Sequence, residues 1–361
     1  MLRQWKSRWN SFNSAKALVH VPYWEQIVSE GIIPSPLFVS VDPCGVCNLR
    51  CSHCNAAEIL NNKHTVMDRD RIDEVVNLLT YWKTKSCCVG GGGEPLLNPN
   101  TYYLIDKLYE AGIQSALVTN GTKLGVNSNT MTYDNKLETL LKLNYAGISV
   151  DAATNTTWQI VKGVSNCNIE DIFTNISRMT GRGLEITYKY LLLPTNFKEV
   201  YEACRIAKEL GCDQFHLRPA ALPWFEVEKS YNYPEEVRDS VSEQLDEARS
   251  DFEDNKFKIF GVVQKFSDDW KVQVTFDKCW TCFVTCAISP DGTVTLCCDR
   301  RGDASVELGN IKDMKELWGG TKHREIHNLI NPDACPRCTF SHVNEIFEQV
   351  ICKDNTFYNF F

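Results

Sequence analysis

Cys47-Asn48-Leu49-Arg50-Cys51-Ser52-His53-Cys54 is the stretch on which the reading of this 361-residue chain turns. Three cysteines at x3 then x2 spacing sit on a loop long enough to wrap an iron–sulfur cube while leaving one iron without a protein ligand. An iron left open in this way binds a small chelating molecule, so three thiolates point to reactivity where four would point to electron storage or structure. A zinc loop, or thiols packed as small hydrophobes, shares the same spacing. The stretch closes a strand-like run at 37–41, and the next strand-like run ends in Gly90-Gly91-Gly92-Gly93-Glu94-Pro95.

At these two motifs together the sequence resembles the radical S-adenosylmethionine (SAM) superfamily, in which CxxxCxxC follows the first strand and Gly-Gly-Glu-Pro the second. The resemblance implies that Cys47, Cys51 and Cys54 hold a catalytic [4Fe-4S] cluster and that the open iron chelates SAM. One electron then cleaves SAM to methionine and a 5′-deoxyadenosyl radical, with an external donor such as flavodoxin or ferredoxin as partner. Cys44 lies outside the motif and is read as a non-ligand. His53 stands where the family often has a ring against the cluster or the adenine.

The same resemblance brings Gly92, Gly93 and Glu94 to the methionine amino group of SAM, glycine letting backbone approach a ligand closely. Asn120, in Thr119-Asn120-Gly121, and the pair Ser149 and Asp151 resemble the family's ribose- and methionine-contacting positions. Asn-Gly is a common turn in any fold; placement at consecutive strand ends is what supports the functional reading. Lys162 and Arg218 are candidate partners for the SAM carboxylate and the adenosine, a solvated surface role being the alternative for each.

Composition bounds these expectations. A chain of this length with 43% hydrophobic residues buries a full core and fits one large domain plus a smaller one. A formal charge of -8 without a long basic block argues against a nucleic-acid partner. The expected partner is a small-molecule substrate. No apolar run is long enough to span a bilayer, and the first ten residues lack the apolar centre of a signal peptide, so no membrane partner is expected and the location reads as cytoplasmic. In that setting 17 cysteines suggest metal ligation rather than a disulfide scaffold.

Along the chain, residues 1–34 carry Trp5, Trp9, Phe12, Leu18 and Trp24 and read as a leading helical extension packed against a barrel. Strand-like and helix-like runs then alternate: 37–41 with 68–83, 87–90 with 102–111, 115–119 with 136–143, 146–150 with 169–180, and 185–192 with 197–210, before a sixth strand at 214–217. Such alternation means a parallel sheet with helices outside. The fold class is α/β, and the family resemblance implies a partial (βα)6 TIM-like barrel over 35–223. In parallel barrels the chemistry sits at the carboxyl ends of the strands, where the singled-out motifs fall, Lys162 excepted.

Residues 224–275 contain an acidic stretch of helical period, read as a bridging helix and linker. Residues 276–361 form a small α+β domain. It holds Cys279, Cys282, Cys286, Cys297, Cys298, Cys335, Cys338 and Cys352 around a hairpin turning at Pro290-Asp291-Gly292. This layout resembles the SPASM/twitch extension of radical SAM enzymes. With only Cys352 after the Cys335–Cys338 pair, it looks like the one-cluster twitch form, whose auxiliary [4Fe-4S] ligands would be Cys279, Cys297, Cys335 and Cys338, with Cys282 a substitute for Cys279. Two Cys-x2-Cys pairs also fit a four-thiolate zinc site, which would leave Cys297 unused. Cys87, Cys88, Cys167, Cys204 and Cys212 read as buried thiols.

The layout over the last hundred residues is similar to 2-deoxy-scyllo-inosamine dehydrogenase and related sugar and aminocyclitol enzymes. It implies a radical SAM oxidoreductase that abstracts hydrogen from a sugar- or cyclitol-like substrate and oxidises it. Epimerisation stays open, with Cys282, Cys286 or Cys298 as the hydrogen donor. Radical modification of a peptide stays open as well, although 34 leading residues are few for a leader-binding domain. A non-catalytic iron–sulfur or zinc scaffold is the alternative outside enzymology.

Overall fold

Strand β1 (Phe38–Val41) lies at the middle of the architecture, with a parallel neighbour on each side. The computed structural model describes residues 13–57, 64–124, 132–220, 231–261, 270, 274–335 and 338–352. Beyond β1 follow β2 (Ser86–Val89), β3 (Gln114–Thr119), β4 (Tyr145–Ser149), β5 (Glu185–Leu192), β6 (Gln214–Pro219) and β7 (Lys258–Gly261), each parallel to the one before. Strands β8 (Thr285–Ile288), β9 (Thr293–Thr295) and β10 (Glu307–Asn310) complete a ten-stranded sheet in the order β10-β9-β8-β1-β2-β3-β4-β5-β6-β7.

Apolar stripes set the helices against the sheet, and polar side chains cap several of them at their starts. After α1 (Val21–Ser29), helix α2 (Arg69–Trp82) starts on Asp68, whose carboxylate accepts from Arg71 N at 2.8 Å, and buries Ile72, Val75, Val76 and Leu79. Helices α3 (Thr101–Glu110) and α4 (Thr132–Leu140) follow. Next come α5 (Asn155–Lys162), α6 (Ile169–Met179) and α7 (Val200–Glu209). The buried Ile169, Ile172, Phe173 and Ile176 of α6 recur at the three-to-four spacing that sets a helix against a sheet.

Three features differ from the sequence-based expectation. Helix α5 is an extra element between β4 and α6. Helix α8 (Glu235–Phe252) is more than a bridge: it buries Val237, Val241, Leu245 and Ala248, packs on α7 and leads into β7, so it completes the sixth βα unit and a seventh parallel strand extends the expected six. Strand β7 lies in the segment read as linker, and its alternating run is only four residues long.

The third difference concerns the hairpin. Strands β8 and β9 form it as expected, antiparallel around Pro290-Asp291-Gly292. Yet β8 pairs in parallel with β1 from Phe38↔Thr285 to Val41↔Ile288. The C-terminal cysteine region is therefore continuous with the barrel sheet. By taking the outer edge of β1, β8 also stands where β7 would have to pair to close the barrel.

Residues 1–12, with Trp5, Trp9 and Phe12, lie outside the described residues. Trp24 is buried and packs at 4.8 Å on Phe347 of the C-terminal segment, whereas Leu18 is exposed. Among the described residues no helix is long and apolar enough to cross a membrane.

Candidate functional site

The cysteine loop leaves the carboxyl end of β1 and is fixed from three sides. Gly45 N donates to Thr65 O at 2.8 Å, Arg50 N to Lys162 O at 2.9 Å, and Asn48 Nδ2 to Thr122 Oγ1 at 2.9 Å. Asn120 Nδ2 donates to Asn48 Oδ1 at 3.1 Å and stands 4.0 Å from Cys47 Sγ. Cys47, Cys51 and Cys54 are half-buried free thiols facing one cavity of about 1870 Å³, the donor set an iron–sulfur cluster with an open iron needs. Burial pushes the Cys51 thiol up to about 11, Lys162 opposing the shift. Cys44 is buried, donates to Val46 O at 3.4 Å and does not line the cavity, in keeping with its reading as a non-ligand.

The glycine run after β2 is shaped by this loop. A Cβ on Gly93 would stand 2.3 Å from Val46 O and 2.6 Å from Cys44 O, while Gly93 N and Glu94 N donate to Cys44 O and Val46 O at 2.8 and 2.9 Å. Only glycine lets the second loop zip onto the first, a demand that the expectation of ligand approach did not include.

Glu94 is fully buried, and both its carboxylate oxygens are engaged. They accept from Thr119 Oγ1 at 2.6 Å, Asn120 N at 2.8 Å and Leu96 N at 3.1 Å. Burial pushes the carboxyl up and these hydrogen bonds oppose it. Glu94 thus ties the loop after β2 to the loop after β3, which places Asn120.

Lys162 is not a surface residue. It and Asp151 are both buried, and the ammonium pairs with the Asp151 carboxylate, which also accepts from Leu191 N at 2.7 Å. His53 Nε2 lies 3.8 Å from the same carboxylate. Burial alone would raise the Asp151 carboxyl, but Lys162 and His53 hold it below the usual range; burial alone would lower Lys162, but Asp151 and Cys51 hold it above. Asp151 takes a left-handed φ of 63°, a conformation aspartate tolerates better than most residues. The end of α5 is thereby clamped between β4 and the cysteine loop.

Ser149 and Arg218, at the ends of β4 and β6, are half-buried and line the same cavity. All eleven residues singled out around the first motif therefore line one space: Cys47, Cys51, Cys54, Gly92, Gly93, Glu94, Asn120, Ser149, Asp151, Lys162 and Arg218. Several wall residues were not singled out by the sequence, among them Tyr145, Lys189 and His216 on the strands and Asp299 and Arg301 from the C-terminal region; Cys298, read as one candidate hydrogen donor, lines the cavity too. Alternation within β5 and β6 would have marked Lys189 and His216 as facing the interior. Cys88, read as an inert buried thiol, is buried but lines the cavity, its thiol pushed up to about 11 by burial. Arg301 Nε stands 2.6 Å from Asp42 Oδ2, an ion pair between the C-terminal region and the end of β1 that lies against Gly91.

Cys279, Cys297, Cys335 and Cys338 line a second, small cavity with Leu296, Val306, Pro332 and Phe340. Cys282 does not line it; its thiol points to Cys279 O at 3.0 Å, and hydrogen bonding from Cys282 brings the Cys279 thiol down to about 7. Burial raises Cys297 and Cys338 and pushes Cys335 up to about 11. Cys338, Asp299 and Phe340 line both cavities, so the two cysteine sets face a common wall. Among the described residues no three ligating side chains converge on a point as they must around one metal ion; thiolates around a cube of four irons stand further apart.

Comparison with known proteins agrees with this geometry. The sequence model of the Radical SAM superfamily matches residues 41–207, and that of the SPASM iron–sulfur cluster-binding domain matches 279–339. The chain is 25% identical over 192 residues to the AdoMet-dependent heme synthase of Methanosarcina barkeri, covering 51% of this chain and 50% of that protein. It is 25% identical over 173 residues to the pre-heme d1 synthase of Dinoroseobacter shibae, covering 47% and 40%. The chain thus matches half or less of the length of these relatives. The crystal structure of Streptococcus suis SuiB bound to S-adenosylmethionine superposes with a TM-score of 0.63 at 14% identity, covering 82% of this chain and 68% of that one, a likeness of fold. The chain carries a radical SAM domain followed by a SPASM iron–sulfur domain, with SAM and iron–sulfur clusters as the cofactors of these domains.

Proposed function

We propose that the protein cleaves SAM reductively and oxidises a hydroxyl-bearing small molecule, sugar- or cyclitol-like, held in the barrel cavity. The observation that carries this reading is the shared wall, where Cys338, Asp299 and Phe340 bring the auxiliary cysteine set to the edge of the chamber faced by Cys47, Cys51 and Cys54. Bound at these two sets, the clusters supply a one-electron source that turns SAM into a 5′-deoxyadenosyl radical and an electron acceptor beside the substrate.

The chain's own residues bind, orient and exclude water. Cys47, Cys51 and Cys54 would hold the first cluster, and Cys279, Cys297, Cys335 and Cys338 the auxiliary one. Zinc at the second set is the less favoured reading, because Cys297 lines that cavity and Cys282 does not. The glycine loop and Asn120 shape the SAM site, and Glu94 acts by holding the two loops together. The Lys162–Asp151 pair would hold a cation beside the cysteine loop for the SAM carboxylate, and Ser149 and Arg218 would contact the ribose and adenosine. A cavity of about 1870 Å³ exceeds the roughly 300–1,000 Å³ typical of one ligand, which leaves room for substrate beside SAM.

Two other outcomes have support. Cys298 lines the cavity, whereas Cys282 and Cys286 do not, so Cys298 is the thiol placed to return a hydrogen atom and give an epimer. SuiB has also been solved bound to a precursor peptide, but that likeness is one of fold alone. The test is anaerobic turnover with dithionite and candidate metabolites in deuterated water. Removing a hydrogen atom, a proton and an electron from a hydroxyl-bearing carbon leaves a carbonyl, so a carbonyl product with one 5′-deoxyadenosine per turnover supports oxidation. Solvent deuterium at the abstracted carbon, lost on Cys298→Ala, establishes epimerisation, and the absence of any 5′-deoxyadenosine leaves the scaffold reading.

A further inference from the structure

We propose that Arg301, from the C-terminal cysteine region, is a positioning residue for SAM, locking the glycine loop after β2 in its binding shape. The inference rests on the reading of that loop as part of the SAM site. Gly90 and Gly91 leave β2 with φ of 115° and 129°, a backbone that other residues rarely adopt. Glycine restricts its own backbone least, so a loop built from it holds one shape only where neighbours brace it. At one end Gly90 N donates to Val41 O at 2.9 Å, and at the other Gly93 and Glu94 are zipped onto the cysteine loop.

Between these anchors the brace is a buried ion pair. A Cβ on Gly91 would stand 2.6 Å from Arg301 Nη2 and 2.8 Å from its Cζ, and one on Gly92 would stand 3.0 Å from Asp42 Oδ2. Guanidinium and carboxylate thus pack on the bare backbone of two consecutive glycines. Arg301 Nε stands 2.6 Å from Asp42 Oδ2, and both side chains are buried. Burial pushes the Asp42 carboxyl up, against Arg301 and the Gly92 N–H, which both favour its charged form.

A guanidinium suits this place because its planar fork reaches two acceptors at once. While Nε faces Asp42, Nη1 donates to Cys298 O, next to the auxiliary ligand candidate Cys297. Asp42 N donates to Ile288 O at 2.9 Å, so the carboxylate is carried on the seam where β8 meets β1. One side chain therefore spans the backbone beside the auxiliary set, the end of β1 and the glycine loop. Through this clamp the affinity for SAM depends on the docked C-terminal region as well as on the barrel's own loops, since small displacements of a positioning element cost a bound ligand its geometry.

The test is anaerobic calorimetry of SAM binding to the reconstituted holoprotein, with iron content and Tm as checks on folding. Arg301→Met should weaken SAM binding about tenfold and Arg301→Lys about threefold, because an ammonium keeps the charge but loses the fork. Arg301→Met strands the buried Asp42 carboxylate, so the double variant Asp42→Asn with Arg301→Met is the second protein; it removes both charges together and should fold and still bind SAM about tenfold more weakly. Arg300→Met is the control, since the Arg300 guanidinium turns to Asp303 at 2.7 Å. Hydrogen exchange at Gly92, Gly93 and Glu94, measured before SAM is added, should quicken in the Arg301 variants. A merely structural role would lower Tm and leave the SAM affinity of the folded protein as it is. Affinity within about twofold of the wild type in the double variant, unchanged exchange in the loop, or an equal loss in Arg300→Met overturns the inference. Failure of the wild-type holoprotein to bind SAM removes the reading of the site and the inference with it, whereas SAM bound with this dependence but no substrate oxidised removes only the proposed oxidation.

Discussion

Glu94 illustrates how a signature residue acts through its neighbours. Because its carboxylate accepts from Thr119, Asn120 and Leu96, Glu94→Ala removes three hydrogen bonds and strands buried donors, an expected cost of about 2–4 kcal/mol in stability. SAM binding should weaken in this variant while the iron content holds, and loss of the cluster absorbance would contradict the bracing role. Lys162→Met likewise leaves the Asp151 carboxylate buried without its cation and should destabilise by about 3–5 kcal/mol. Adding Asp151→Asn should recover part of the loss, and a denaturation cycle over the four proteins measures the coupling. His323 gives the pH dependence: Gly319 N donates to its Nδ1 at 3.0 Å and its Nε2 meets Cys282 O at 3.0 Å, while burial brings the ring down to about 4. The unfolded chain takes up a proton below about 6.5 and the folded one only near 4, so stability falls with pH through that window by roughly 3 kcal/mol. Melting at pH 7 and pH 5 should show a smaller drop for His323→Gln than for the wild type. None of these pairings was visible locally; Asp151 and Lys162 lie eleven residues apart across an unsuspected helix, and Asp42 meets Arg301 from the far end of the chain.

At the scale of elements, the six βα units were legible because each couples a short apolar strand to a helix-like run, and both periods survive in the sequence. What escaped was context. The stretch forming α5 has only Trp158, Val161 and Lys162 buried among its eight residues, too few to register as a stripe, and β7 is four residues long with Gly261 at its end. The β8–β1 pairing is parallel and joins residues almost 250 positions apart, so no turn residue announces it. That pairing carries a prediction. Ala287 is buried in β8 opposite Ser40, and Ala287→Pro removes a ladder donor and distorts the strand. Hydrogen exchange should then show lost protection across β1 as well as β8; protection lost in β8 alone would mean that the hairpin does not brace the barrel.

For the molecule as a whole, the sequence pointed to two cysteine sets, which line two cavities, but not to the distance between them. The ligand types are local patterns, whereas their approach depends on a hairpin docking beside the strand that carries the first set. Because β8 lies against β1, the two sites share a wall to which Cys338 contributes, while Cys47, Cys51 and Cys54 line the large cavity alone. Independent ligand sets predict independent loading. Iron and sulfide analysis after anaerobic reconstitution should give about eight iron per chain for two [4Fe-4S] clusters. Cys51→Ala should retain about four iron and lose SAM cleavage, and Cys338→Ala should also retain about four iron, held at the barrel site. Cys282→Ala should keep about eight, since its sulfur turns to a backbone carbonyl and away from the small cavity. About four iron with one zinc in the wild type would instead assign zinc to the C-terminal set. Loss of both clusters in Cys51→Ala would show that the common sheet couples the sites in assembly, with the first cluster needed to hold the loop, strand β1 and the docked hairpin in register.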